Sequence, residues 1–408
     1  MTIFNKISIF FIDSIYIIFI IALILILILI AIFSYLRLLT LHKNSIYLNR
    51  GQKCLAVYDN YSPINQEPLE NDGKYFNQYF KKEKYHGLRD YFYAASHKSY
   101  LPCGNTKDIV SYNALKHVLL AGARAINLDI FYKGTVAGSS DSEIIVGNVI
   151  DGQLSFLPNS KESEQYLNFG NCLKIINELG WKKTDAPLFL YLNLEFAPIQ
   201  NLEFQIYNNL NKIINTRLMD KYYGFQRVNI GDIPVNKAQN KLIILLNRKP
   251  VNNFLNEITN GIMTEESVNL ILYTMSDGDI EYGGIKTKFP NPQIATQTTQ
   301  FNLVAVIKSN RVDDENIDNP KIDTTNYDTT DNFKLGVSMT FMNWQNFPDE
   351  NNYMKNYLEN FKKGGMVLKP KELIYEPRPA PTVYERDKKF DYRNKNISGL
   401  GGFYDFNI

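Results

Sequence analysis

The sequence predicts an α/β protein, a (β/α)8 barrel preceded by a single transmembrane helix. Residues 14–36 contain no charged side chain. At about 1.5 Å per residue, this run spans the roughly 30 Å hydrocarbon core of a bilayer. From residue 89 to residue 376, apolar strand-like runs alternate with amphipathic helical patterns. No glycine-rich phosphate loop follows the first predicted strand, so a doubly wound open sheet is the second choice.

The composition excludes several classes of function. Lys and Arg total 44 and Asp and Glu total 42, so the charge balance gives no general attraction to nucleic acid. Hydrophobic residues make up 45% of the chain, enough to bury a core. Cys54, Cys103 and Cys172 form neither a disulfide framework nor a zinc motif, which fits a reducing compartment. The abundance of Asn, Ile, Lys and Tyr is typical of an A/T-rich genome, such as that of a large DNA virus or a protist.

The apolar run at 14–36 is interpreted as a retained membrane anchor. It is longer than the roughly 7–15-residue core of a cleaved signal peptide, which is the alternative interpretation. One cation precedes the run and four follow it, Arg37, Lys43, Arg50 and Lys53. The positive-inside rule therefore places the C-terminal part in the cytosol. We expect a single-pass membrane protein in which residues 37–88 are a juxtamembrane linker.

Predicted strands and helices alternate over 89–376. Strands are expected at 90–96, 125–131, 143–148, 187–195, 242–247, 302–308, 336–344 and 366–369. Helices are expected at 108–121, 163–179, 199–219, 264–275 and 352–363. These eight strands are the number that a (β/α)8 barrel needs. Residues 377–408 are rich in Pro and then in charge, and we expect an extended tail that is disordered or wraps the barrel; its aromatic tip is, as the alternative, a candidate docking segment for a protein partner.

Polar residues lie at the carboxyl ends of several predicted strands, where barrels of this kind hold their active sites. They are Ser96, His97, Lys98, Asn127, Asp129, Asn148, Glu195, Asn247, Arg248 and Lys249. One imidazole, two carboxylates and several cations at one opening suit the handling of a phosphate group, because cations hold the anion and an imidazole moves a proton. A solvated polar rim without chemistry is the alternative.

Several segments resemble phosphoinositide-specific phospholipase C. Residues 96–101 (SHKSYL) resemble the S-H-N-T-Y-L motif of that family, and residues 110–131 resemble its A-x-x-x-A-L-x-x-G-C-R-x-x-E-L-D stretch. Further matching segments lie, in the family's order, at 187–195, 241–249, 326–327, 336–345 and 365–370. The resemblance implies a distorted (β/α)8 barrel of the TIM type, with an X-like half at about 89–250 and a Y-like half at about 298–376. The acidic stretch between the halves, 251–297, is expected to be a solvated loop or an insert that covers the site.

The resemblance also implies a reaction and a metal. Family members cleave the glycerol–phosphate bond of inositol lipids with two histidines and, in eukaryotic members, a calcium ion. The first histidine matches His97, and two calcium ligands match Asp129 and Glu195. Lys98 and Asn127 stand where the other two ligands would be, so no cofactor is expected and calcium only if the degenerate site still binds it. Bacterial relatives replace the calcium with an arginine, a part that Lys98 would play here.

The family's second histidine has no counterpart, because its Y-H-G motif reads as residues 145–148 (IVGN) here. The residues expected to bind phosphate or a headgroup are Lys98, Asn148, Arg248 and Lys249. Three interpretations stay open. The first is an impaired membrane-anchored barrel that binds an anionic phospholipid headgroup or serves as a structural, scaffolding component. The second is an active phosphodiesterase, calcium-independent through Lys98. The third is a structural barrel with a filled pocket.

Overall fold

Eight parallel strands form the wall of a nearly closed barrel, as the sequence predicts. The structure is a computed structural model that describes residues 19–39, 86–102, 110–134, 137–139, 141–147, 149–150, 153–154, 166–309, 312–313, 321–322, 325–346, 349, 351–361 and 365–375. Asn148, the predicted tail at 377–408 and all but the ends of the predicted linker lie outside these residues.

The barrel strands follow one another along the chain. They are β1 (Tyr91–Ser96), β2 (Ala125–Lys133), β3 (Leu188–Leu194), β4 (Leu242–Leu246), β5 (Gly261–Ile262), β6 (Leu270–Met275), β7 (Leu303–Lys308) and β8 (Met339–Met342). Successive strands pair in parallel from β1 to β5 and from β6 to β8, and β8 returns to β1. Between β5 and β6, the described pairing is a single parallel bridge from Thr264 to Ile271. We call this join the β5–β6 seam.

Two predicted strands lie outside the barrel wall. Glu143–Gly147 pairs antiparallel with β2 and carries Tyr166–Asn168 on its other edge. Met366–Leu368 pairs antiparallel with β1. The eight predicted strands therefore include these two outer strands and lack two strands of the barrel wall, β5 and β6.

The predicted helix at 264–275 is wrong, because its second half is strand β6. The run Leu270-Ile271-Leu272-Tyr273 is continuously apolar, and periodicity alone does not separate a buried strand from a buried helix. The stretch 251–297 consequently contributes two strands to the barrel wall, rather than forming only a connecting loop or insert.

The first helix, α1 (Phe19–Leu39), precedes the barrel in the chain and is exposed along its whole length. The helices that connect the strands are α2 (Tyr112–Leu120), α3 (Phe169–Leu179), α4 (Gln200–Ile214), α5 (Val235–Ala238), α6 (Asn253–Ile258), α7 (Asp277–Glu281), α8 (Pro292–Phe301), α9 (Thr330–Lys334) and α10 (Tyr353–Glu359). Asparagine side chains at 168, 252 and 291 accept backbone N–H groups at the starts of α3, α6 and α8. The helix predicted from residue 163 begins only at Phe169, because Tyr166–Asn168 is paired as a strand.

Helix α1 is long and apolar enough to cross a membrane. Its 21 residues have a mean hydropathy of 3.2. A signal sequence near an N-terminus passes the same test of length and composition. The helix ends at Leu39, three residues beyond the predicted end of the apolar run.

Large side chains fill the interior of the barrel. Tyr93 and Phe189 meet edge to face with ring centroids 4.8 Å apart, and the rings of Tyr191 and Phe341 lie 6.1 Å apart. On β3 the residues between these inward positions, such as Leu190, pack outward against the helices. Because side chains alternate along a strand, polar residues that continue the inward positions toward the carboxyl ends lie above this packed layer.

One glycine permits a close backbone approach beside β1. Gly365 has a φ of +73°, and its carbonyl accepts the Ala94 N–H at 2.8 Å. A Cβ at this position would lie 1.8 Å from the carbonyl oxygen of Gly122. Only glycine meets both requirements, the positive φ and the space.

Candidate functional site

The inward register of β2 and β3 places an amide and a carboxylate at the carboxyl ends of the strands. Asn127 pairs with Tyr191, and Asp129 pairs with Asn193, in the parallel β2–β3 ladder. Tyr191 belongs to the apolar filling of the barrel, so Asp129 and Asn193 stand one step above it. Asp129 is 2% exposed, so its carboxylate can be charged only if neighbouring groups replace the lost water.

Lys98 supplies a positive charge to that carboxylate. It lies in the turn after β1 with a φ of +43°, in the left-handed region that few residues other than glycine adopt. The Asn127 side chain accepts the backbone N–H of Lys98 at 3.0 Å, which fixes the turn on β2. The Lys98 Nζ then lies 3.1 Å from the Asp129 Oδ2. The Tyr100 hydroxyl donates to the same oxygen at 2.7 Å.

The carboxylate of Asp129 is held in its charged form. Burial alone would raise the pKa of Asp129, but the Lys98 ammonium and the Tyr100 hydroxyl outweigh burial and hold the pKa below its usual range. On its second oxygen, Asp129 accepts the side-chain N–H of Asn193 at 3.2 Å. The buried charge is therefore compensated by one cation and two neutral donors.

Glu195 lies beside this pair at the end of β3. Its backbone N–H donates to the Ile130 carbonyl at 2.9 Å, and its carboxylate accepts the side-chain N–H of Asn193. Burial and the nearby Asp129 charge raise the pKa of Glu195 above its usual value. Asn193 bridges the two carboxylates of Asp129 and Glu195.

These residues do not fit a calcium ion. Ca²⁺ takes about six to eight oxygen ligands, several of them carboxylates. In the described ranges, no group of three or more His, Cys, Asp or Glu side chains lies close enough together to hold a metal. The Lys98 ammonium lies 3.1 Å from the oxygen that a metal would need. A second cation there would be repelled by the first.

His97 is buried and uncharged at neutral pH. Burial and the adjacent Lys98 ammonium lower the pKa of His97 to about 4. Its backbone N–H donates to the Met342 carbonyl at 2.9 Å, and its side chain has a hydrogen bond with Asn343. Its Nδ1 atom is buried without a hydrogen-bond partner in the described structure. An acceptor or donor of a bound molecule would satisfy that nitrogen.

Asn343 is itself held by a network of amides. Its backbone N–H donates to the Asn326 side chain at 2.8 Å, and its side-chain oxygen accepts from Gln345 at 3.2 Å. The Asn326 side chain also donates to the Asn343 carbonyl at 3.0 Å. The network fixes Asn343, and Asn343 in turn orients the His97 ring.

The three residues after β4, Asn247, Arg248 and Lys249, have different surroundings. The Asn247 side chain joins β4 to β3, because its oxygen accepts the Leu194 N–H at 3.0 Å. The Arg248 guanidinium lies 2.6 Å from the carboxylate of Glu203 on α4. Lys249 is exposed. The headgroup contacts predicted for Arg248 and Lys249 stay predictions, and Arg248 already has a carboxylate partner.

A further cation lies at the carboxyl end of β7 and was not among the predicted site residues. The Lys308 Nζ is 2.9 Å from Asp277 and 2.6 Å from the Thr325 hydroxyl. Lys308 is 4% exposed. The sequence could have indicated Lys308, because it is the last residue of a predicted strand and barrel sites lie at the carboxyl ends of strands.

Tyr100, Asn193 and Asn343 were also missed as site residues. Asn193 could have been found from strand alternation, because it lies two residues before Glu195 and two after the inward Tyr191. Where the second histidine of the resembled family would lie, the described residues are Ile145, Val146 and Gly147, all buried. Asn148 lies outside the described residues, so its predicted role stays a prediction.

Two comparisons with known proteins agree with this fold. Residues 85–249 match the family model of the phosphatidylinositol-specific phospholipase C X domain. The chain is similar in fold to PLC21 of S. officinalis, with 15% identity, a TM-score of 0.51, and coverage of 71% of this chain and 38% of that one. It is likewise similar to PLC21 of L. pealei, with 15% identity, a TM-score of 0.52 and the same coverage. The chain thus spans well under half the length of these two structures.

No curated protein matches the chain significantly in sequence. At 15% identity the structural likeness speaks for the fold alone. The family-model match adds the first half of the barrel, from the lead-in to β1 up to Lys249. This chain therefore has the fold of a phospholipase-C-like barrel, in which residues 85–249 resemble the X domain of phosphatidylinositol-specific phospholipase C.

Proposed function

We propose that the protein is a membrane-anchored, phospholipase-C-like barrel that is impaired in turnover and binds the headgroup of an anionic phospholipid. The observation that carries the impairment is the contact between Lys98 and Asp129, 3.1 Å apart. A lysine that neutralises this carboxylate leaves no room for a divalent cation to polarise the phosphate.

The lack of a counterpart to the family's second histidine also supports impaired turnover. Phosphodiester cleavage needs one group that removes a proton from the attacking hydroxyl and another that protonates the leaving oxygen. His97, whose pKa is about 4, is uncharged at neutral pH and suits the first task only. A missing acid lowers a rate by roughly 10²–10⁴-fold.

The buried Nδ1 of His97 supports binding. A polar atom without a partner inside a pocket costs free energy that a ligand hydroxyl or phosphate oxygen would recover. Lys249 is exposed beside the carboxyl ends of the strands and supplies a positive charge for an anionic group.

The membrane assignment rests on α1. Its length and apolar composition suit a single span, and the excess of cations after it supports a barrel on the cytosolic side. A cleaved signal sequence would instead leave the barrel detached. Carbonate extraction of membranes from expressing cells distinguishes the two, because only an integral protein stays with the pellet. Protease treatment of sealed vesicles then reports the side on which the barrel lies.

A second candidate is an active, calcium-independent phosphodiesterase. Burial and Asp129 raise the pKa of Glu195, so this carboxyl is the group on β3 best suited to give up a proton to a leaving oxygen. Lys98 would then stabilise charge on the phosphate in place of a metal.

One experiment separates these functions. The full chain in detergent–phospholipid micelles is incubated with phosphatidylinositol and its phosphorylated forms, with calcium and with chelator. Water-soluble inositol phosphate is measured beside the His97→Ala variant. We expect no release above that control. Release that disappears in His97→Ala would contradict the impairment and establish the active enzyme, and loss of that release in Glu195→Gln would identify the acid.

Binding is measured separately, because α1 carries the protein into any vesicle. Inositol 1-phosphate is titrated into the detergent-solubilised full chain by calorimetry. Binding that His97→Ala weakens supports a headgroup site. An absence of binding together with an absence of release would leave a structural or scaffolding role for the barrel.

A further inference from the structure

Glu203 on α4 is a fully buried carboxylate with three donors. The first is the Arg248 guanidinium, 2.6 Å from Oε1. The other two are the backbone N–H groups of Val251 and Asn252, 2.6 Å and 2.7 Å from Oε2. Glu203 is 0% exposed, so these donors replace all the water that a carboxylate normally binds.

The three donors lie on both sides of one short loop. Arg248 is the second residue after β4, and Val251 and Asn252 are the last two residues before α6. Asn252 continues the attachment, because its side chain caps α6 at Phe254 and Leu255. The loop is consequently held at its beginning and at its end by the two oxygens of one side chain. We call this arrangement the Glu203 clamp.

Lys249 lies between the two clamped ends. The next residue is Pro250, which restricts Lys249 to extended backbone conformations. Pro250 is buried, whereas Lys249 is exposed. Between the clamp and the proline, the backbone of Lys249 has little freedom, and its side chain leaves the protein at a fixed point.

Arg248 is directed away from a ligand by the same contacts. Besides Glu203, its guanidinium donates to the Phe196 carbonyl at 3.4 Å and lies 5.5 Å from the centre of the Phe196 ring. Moving Arg248 away from Glu203 to reach a phosphate would leave a buried carboxylate without its cation, which is strongly unfavourable.

We infer that Glu203 is a positioning residue for headgroup binding, and that Lys249, held by the Glu203 clamp, is the cation of this loop that contacts the phosphate. This inference rests on the proposed binding of an anionic headgroup. In this inference Arg248 holds the loop through Glu203 and does not contact the ligand. Holding the loop before binding lowers the entropic cost of ordering a long cationic side chain.

The test uses the detergent-solubilised full chain, inositol 1-phosphate and two measurements. Calorimetry gives the affinity, and hydrogen–deuterium exchange gives the protection of the backbone amides of Lys249, Val251 and Asn252. Lys249→Ala should weaken binding about tenfold, the value of one charge-assisted hydrogen bond, and leave amide protection unchanged. Glu203→Gln should speed exchange in the loop and weaken binding about as much.

The double variant Lys249→Ala, Glu203→Gln should bind no more weakly than Lys249→Ala alone, because both changes act on one contact. Glu257→Gln is the matched control, since Glu257 pairs with Lys221 on the surface of α6 at 2.6 Å. It should alter neither binding nor exchange in the loop. Glu203→Asp, which keeps the charge but shortens the reach, replaces Glu203→Gln if that variant does not fold.

Three outcomes would overturn the inference. Unchanged affinity in Glu203→Gln, beside a loss in Lys249→Ala, would show that the clamp does not position Lys249. A larger loss in the double variant than in Lys249→Ala would give Glu203 a separate role. Binding by the wild type that is unaffected by Lys249→Ala would remove Lys249 while the headgroup proposal stands, whereas no binding by the wild type would defeat that proposal itself.

Discussion

The Tyr100 hydroxyl lies 2.7 Å from the Asp129 Oδ2, the same oxygen that the Lys98 ammonium approaches. The two donors come from one turn after β1 and converge on a carboxylate of β2. This turn and the end of β2 are thereby tied together at the mouth of the barrel.

Breaking the Lys98–Asp129 pair from one side should destabilise the barrel. Asp129→Asn leaves the Lys98 ammonium, whose side chain is 11% exposed, without its carboxylate. An uncompensated buried charge costs about 3–5 kcal/mol. We expect the Asp129→Asn midpoint of thermal unfolding to fall sharply. The double variant Lys98→Met, Asp129→Leu should recover much of that loss, and single effects that simply add in the double variant would contradict the pairing.

A calcium site should appear when the lysine is removed. In the double variant Lys98→Asn, Asn127→Glu, the oxygens of both new side chains join Asp129 and Glu195 around the position of the ammonium. We expect millimolar Ca²⁺ to raise the midpoint of thermal unfolding of this variant and to leave that of the wild type unchanged. The single variant Asn127→Glu, which keeps Lys98, is the control and should not respond. A wild type that responds to Ca²⁺ would contradict the described lack of fit.

His97 should make stability depend on pH below neutrality. Its pKa is about 4 in the folded protein, below its usual value of 6.5, so the unfolded chain binds the additional proton between these values. The free energy of unfolding therefore rises with pH from about 4 to 6.5, by up to about 3 kcal/mol from this group, and is lost as pH falls through the same range. His97→Asn should flatten that part of the curve.

The same pKa offers a direct measurement through Asn343. Replacing the neutral amide with a carboxylate in Asn343→Asp puts a negative charge beside the His97 ring. We expect the pKa of His97 to rise, as read from its imidazole NMR signals against the His97→Ala spectrum. A pKa that does not move would show that Asn343 does not contact the ring in solution.

Gly365 should be intolerant of a side chain. An alanine Cβ would lie 1.8 Å from the Gly122 carbonyl oxygen, in a residue with φ of +73°. Gly365→Ala should cost more than about 3 kcal/mol or prevent folding, because backbone must move. Gly284→Ala is the matched control, since Gly284 also has a positive φ, +62°, but nothing lies within 4 Å of the added Cβ. It should cost only about 1 kcal/mol, the strain of its φ. Equal losses would contradict the close approach.

Sequence patterns predicted the fold class and part of the site, for reasons that particular residues make clear. His97 and Glu195 follow buried strands and Asp129 lies in the carboxyl-terminal part of β2, so the rule that barrel sites lie at carboxyl ends finds all three without coordinates. Strand β5 has only two residues and β6 is a continuous apolar run, so neither gives an alternating pattern. The partners of Arg248 could not be predicted, because Glu203 lies on a helix 45 residues away in the chain and reads as an ordinary solvated residue.

The β5–β6 seam, with its single described bridge from Thr264 to Ile271, is also a place where the chain could be cut into two pieces. A chain cut between these strands would yield one fragment carrying β1 to β5 and another carrying β6 to β8. The fragments would retain the ladder from β8 to β1 as their common edge. Such a pair is suited to reassemble when the two pieces are produced separately, and the barrel could then serve as a split reporter whose halves meet only when their fusion partners do.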